Sequence, residues 1–171
     1  MAALQWSEAL ALDLPLMDDT HREFVDLLAA VEAADNATLV ARWQALVEHT
    51  EQHFGQEDAW MASTGFASGN CHAMQHKVVL QVMRDGAARA VDKGELHVVR
   101  AMAAELALWF PQHAQSMDAA LALHLRRVGF DATTGVVHAP DALPDGLLHG
   151  CGGASCSDED TAPAAVAAAV A

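Results

Sequence analysis

The sequence predicts an all-α protein: an up-down-up-down antiparallel four-helix bundle with an extended N-terminal arm and a flexible C-terminal tail. Three observations predict it. From residue 18 to residue 128 apolar side chains recur at spacings of three and four, with no convincing stretch of period two. Clusters of turn formers cut that stretch into four segments, and short connections between long amphipathic helices make neighbours antiparallel. After Phe130 the character changes: residues 131–171 hold six acids and no base. This places a bundle domain at 1–130 and an acidic, Ala/Gly-rich tail at 131–171.

The first helix is expected from about Met17 to Ala34, with Phe24, Leu27, Leu28 and Val31 on one face. Before it, residues 1–16 read as an arm whose Trp6, Leu10, Leu12 and Leu14 pack on the bundle, and Pro15 disfavours helix just ahead of Met17. Asp35-Asn36-Ala37-Thr38 ends the first helix, and Thr38 is the expected N-cap of the second. That helix carries Leu39, Trp43, Leu46, Val47, Phe54 and Trp60, and stops near Ser63-Thr64-Gly65. A third begins after Ser68-Gly69-Asn70, and Asp92-Lys93-Gly94 turns the chain into a fourth, from about Glu95 to Arg127. Beyond it, Thr133–Val137 suggests a short strand or hairpin.

The 171 residues suit one domain, and 53% of them are apolar. A formal charge of −14 excludes nucleic acid or an anionic membrane surface as the main partner, because no set of phosphate contacts can be assembled. No apolar run approaches the ~18–20 residues of a membrane span. The N-terminus lacks a secretory pattern, and three cysteines make no disulfide framework, so a cytoplasmic location is expected.

Chemistry enters through the ten histidines, taken by position. His53 and Glu57 stand four apart on the second helix, and so do His72 and His76 on the third. His21 shares its stripe with Phe24 and Leu28, and His113 precedes Asp118 by five residues. Each helix thus offers its apolar side at least one ligand. A lone histidine on such a face is usually a hydrogen-bonded core residue. Five imidazoles and two carboxylates on four interior faces are different, because no lysine or arginine is placed to offset their burial. Two divalent metals would resolve that, and mixed imidazole and carboxylate ligation suits iron while admitting zinc, manganese or cobalt. Absence of tyrosine excludes a tyrosyl radical, and no glutamate has a histidine three residues later, as the ferritin-like di-iron motif requires. His113 and Asp118 would sit about 140° apart on a regular helix, so a π-type bulge is expected there, near Pro111. His49 is expected to be partly exposed, and His97, His124 and His138 solvated. Cys71 is expected to pack rather than ligate. His149, Cys151 and Cys156 have no assigned role.

Met17-Asp-Asp-Thr-His, His53-Phe-Gly-Gln-Glu-Asp-Ala-Trp-Met, His72-Ala-Met-Gln-His and Trp109-Phe-Pro-Gln-His-Ala-Gln-Ser-Met-Asp resemble the successive signatures of hemerythrins, in particular single-domain bacterial ones. The resemblance spans about Trp6 to Arg127. It implies a non-haem centre of two irons that binds dioxygen reversibly. By position, His72, His76 and His113 would hold one iron and His21 and His53 the other. Glu57 and Asp118 would bridge them beside an oxo or hydroxo group. Phe110 stands where the family commonly has an aliphatic lid over the oxygen pocket. Oxygen storage, buffering or delivery by a monomer, without catalysis, is the leading expectation. The alternatives are an oxygen or redox sensor and a di-iron enzyme acting on peroxide or nitric oxide.

Overall fold

The computed structural model describes residues 4–66 and 71–146, and its helices follow the apolar stripes closely. Helix α1 spans Pro15–Glu32, α2 Leu39–Ser63, α3 Cys71–Lys93 and α4 Leu96–His113. A π-helical turn, Ala114–Asp118, leads from α4 straight into α5, Ala119–Arg127, so these three pieces form the fourth rod of the bundle. Successive helices pack on one another and α1 closes against α4. Among the described residues no helix is long and apolar enough to cross a membrane.

The helix ends show local chemistry at work. Pro15 does not hold helix off, as the sequence suggested, but opens α1, where its missing N–H is no loss and its fixed φ suits the first turn. Thr38 takes the N-cap position of α2, yet its hydroxyl and N–H both serve the Asp35 carboxylate, at 2.7 and 2.9 Å. Gly94, at φ +66°, makes the reversal between α3 and α4 that a side chain would strain. Residues 67–70, including the Ser68-Gly69-Asn70 expected ahead of α3, lie outside the described residues.

The chain after α5 turns at Gly129 and forms an antiparallel ladder of β1 (Phe130–Asp131) with β2 (Val136–Val137). Val137, Ala132, Ala142 and Leu143 pack against the end of the bundle, which extends the packed structure to Leu143. Residues 147–171, with His149, Cys151 and Cys156, lie outside the described residues.

The buried apolar residues form two clusters. One gathers Phe24, Leu28, Trp43, Leu46, Met83, Val99 and Phe110, with Leu4 and Trp6 of the arm against it. The other gathers Met17, Trp60, Met61, Phe66, Leu121 and Leu125, with Leu12 and Leu14 of the arm. Along every helix of the bundle, a layer of histidines and carboxylates separates the two.

Candidate metal centre

Each helix supplies this layer from the position its stripe dictates. The i,i+4 spacing puts His53 Nε2 3.0 Å from Glu57 Oε1 on α2. His72 and His76 stack edge to face on α3, ring centroids 4.4 Å apart. On the fourth rod the π register, pairing i with i+5, makes His113 and Asp118 one turn apart, and His113 Nε2 lies 3.1 Å from Asp118 Oδ1. All seven side chains are buried.

The carboxylates divide their oxygens between two groups of imidazoles. Glu57 Oε1 faces His53 and His21, at 3.0 and 3.7 Å, while Oε2 faces His76 and His72, at 3.4 and 3.5 Å. Asp118 does the same: Oδ2 lies 3.3 Å from His21 Nε2, and Oδ1 lies 2.9 Å from His72 Nε2. Ligand atoms of Glu57, His72, His76, His113 and Asp118 all lie within 4.8 Å of one another, as do those of His21, His53 and Glu57. The donor set fits metal. Both oxygens of Asp118, Oε2 of Glu57 and Nε2 of His21 and His72 are buried without a hydrogen-bond partner, and Nε2 of His76 points at Nε2 of His113 across 3.2 Å. Two lone pairs so aimed need a cation or a proton between them.

Without metal, protons play that part. Burial opposes charge on His21 and His72, but the Asp118 and Glu57 carboxylates outweigh it and raise both pKa values to about 9. Burial also works against the Glu57 carboxylate, yet His53, His21 and His72 hold it well below the usual range. Asp118 is likewise held low, by His113 and His21 against burial and the Glu57 charge. His113 is pushed down, chiefly by burial.

Several surrounding groups escaped the sequence reading. Asp58 Oδ1 accepts from His76 Nδ1 at 3.0 Å, and Gln75 Oε1 accepts from both His113 Nδ1 and Trp109 Nε1 at 3.3 Å. Such partners fix a ligand ring's tautomer and raise its basicity. Each adjoins a residue of the layer in sequence, Asp58 after Glu57 and Gln75 before His76, but only the neighbouring helix reveals the contact. Phe110 stacks on Phe24 at 4.4 Å and meets His21 edge-on at 5.1 Å. Phe54 stacks on His76 at 4.0 Å and 5°. His124, expected in solvent, is buried and donates from Nε2 to the Thr64 carbonyl at 2.9 Å, satisfying the end of α2. His97 and His138 are exposed, and His49 is partly buried. Cys71 is disulfide-bonded.

A four-helix bundle with a buried histidine–carboxylate layer defines a cation-binding bundle protein. The model of the hemerythrin HHE cation binding domain matches residues 12–123, and the chain belongs to the hemerythrin family. It is similar to a bacteriohemerythrin of Ralstonia nicotianae, 39% identical over 132 residues that cover 77% of this chain and 96% of that protein. No solved structure gives a significant match.

Proposed function

We propose that the chain binds dioxygen reversibly at a non-haem di-iron centre, for storage, buffering or delivery. The observation that carries this reading is the division of Glu57 and Asp118: each turns one oxygen to the His21 side and the other to the His72 side. Two metals would suit that arrangement: His72, His76 and His113 would hold one and His21 and His53 the other, with Glu57 and Asp118 available to both. Bound there, the irons supply the electrons for reversible dioxygen binding. The chain's own residues do the rest. Asp58 and Gln75 orient His76 and His113. Phe110 and Phe24 make the His21 side apolar and exclude water from it, which favours holding oxygen over converting it.

The molecule is read as a monomer in the cytoplasm. Disulfide-bonded Cys71 pulls against the compartment, because the cytosol keeps thiols reduced, and cell fractionation with thiol titration decides between them. For the function, metal analysis followed by anaerobic reduction and oxygen titration is the test. Two irons and one reversibly bound dioxygen per chain are expected. One stoichiometric zinc, no metal, or turnover of peroxide or nitric oxide would sink the reading.

A further inference from the structure

The arm ahead of α1 touches both apolar bodies. Leu4 and Trp6 pack on the cluster around Phe24 and Phe110, whereas Leu12 and Leu14 pack on the one around Met17 and Leu125. The residues between them therefore cross the level of the histidine–carboxylate layer. Leu10, the last residue of a short 3-10 turn (Glu8–Leu10), is 4% exposed there and belongs to neither cluster. One residue earlier, the Ala9 carbonyl accepts from Gln115 Nε2 at 3.2 Å. Gln115 lies inside the π turn that brings Asp118 round to His113.

Both ends of the crossing are fastened. Before it, the Arg22 guanidinium of α1 lies over the Trp6 ring, 4.6 Å from its centroid. After it, the Leu12 N–H donates to Asp18 Oδ1 at 2.7 Å, and the Leu12 carbonyl accepts from Arg126 of α5. The next residue, Asp13, is the one non-glycine at positive φ among the described residues, at +56°. A side chain is strained there, and such a conformation persists only where its surroundings over-determine it. Asp18 and Arg126 supply that constraint by holding Leu12. Strain at the hinge thus works against the contacts that keep the arm down, and loss of any one of them favours opening.

We propose that residues 4–14 act as a strap along the seam of α1 and the fourth rod, and that Gln115 is a positioning residue through which the strap holds the π turn in register. The inner side of that seam carries His21 and Asp118, 3.3 Å apart. With the strap closed, the π turn keeps its outer hydrogen bond and Asp118 keeps facing His113. With it open, the turn is free to shift toward α-helical register, and metal held by the layer leaves faster. The inference rests on the metal-centre reading for that last consequence alone.

The test uses the full chain loaded with zinc and follows two rates: transfer of zinc to excess EDTA, and amide exchange at Leu10, Leu12 and Asp118. Gln115→Ala removes the latch. Asp13→Val raises the strain at the hinge without touching the π turn, because a β-branched residue tolerates positive φ poorly. Each variant should speed zinc transfer and exchange at all three amides together, by about fivefold, the scale of one lost hydrogen bond. Gln115→Lys, which keeps a donor on a long side chain, should restore both rates. Faster zinc transfer in Gln115→Ala but not in Asp13→Val would make Gln115 a local part of the π turn and overturn the strap. Faster exchange at Leu10 and Leu12 with zinc transfer unchanged would make the arm packing alone. If the chain takes up no zinc, the metal-centre reading fails, and exchange at Asp118 in the metal-free variants still decides whether the strap holds the turn.

Discussion

His21 and His72 carry the largest electrostatic consequence of any single residues. In the metal-free protein both are held protonated up to about pH 9 by Asp118 and Glu57, against an ordinary value of 6.5. A raised folded-state pKa gives stability that is complete below the unfolded value and disappears as pH rises through the folded one. Thermal melts of metal-free protein should therefore show a melting temperature falling steadily between about pH 6.5 and 9. Metal affinity should rise over the same window, because the metal displaces those protons. A flat profile across that range would contradict the assignment. The seven buried side chains of the polar layer were legible in the sequence because helical spacing puts them on inward faces, with the π turn bringing Asp118 round to His113. Asp58, Gln75 and His124 were not, because each depends on a contact with another helix that no spacing along its own chain encodes.

The fourth rod shows the same division at the scale of an element. Its irregularity could be foreseen from arithmetic, since five residues overshoot one α-helical turn and Asp118 must still face His113. The helix starts were less legible: Pro15 reads equally as a barrier or as a first residue, and only the packing of Met17 and Asp18 chooses. The hairpin at 130–137 was visible only as a suggestion, because two-residue strands carry almost no periodic signal. Inserting an alanine after Ser116 tests the π turn directly. The rod should remain helical by circular dichroism, since α-helix is the default there, but Asp118 would rotate by about 100° relative to His113. Bound metal should fall to one ion or none per chain. Retention of two would mean that the spacing is incidental.

Across the whole molecule, the polar layer divides the hydrophobic interior into two unequal bodies. Phe110 belongs to the first and touches His21, whereas Leu125 belongs to the second. Phe110→Ala and Leu125→Ala should each cost about 2–5 kcal/mol, measured by urea unfolding. Only Phe110→Ala should also speed autoxidation and azide binding at constant iron content; equal behaviour of the two would make Phe110 packing alone. The division has a further consequence for cooperativity. All-or-none unfolding requires each part of a protein to feel the loss of every other, and here the coupling between the two bodies passes through ligands drawn from all four helices. With metal in place, one centre ties those helices together at mid-height. With metal removed, the middle of the bundle holds like-charged imidazolium groups and two carboxylates, and the bodies above and below become separable units. Chelation should then replace a single sharp transition by a broad or two-step one, with amide exchange at Met17, Trp60 and Leu121 no longer matching that at Phe24, Trp43 and Val99. A protease would see the metal-free chain as two weak domains and the loaded chain as one.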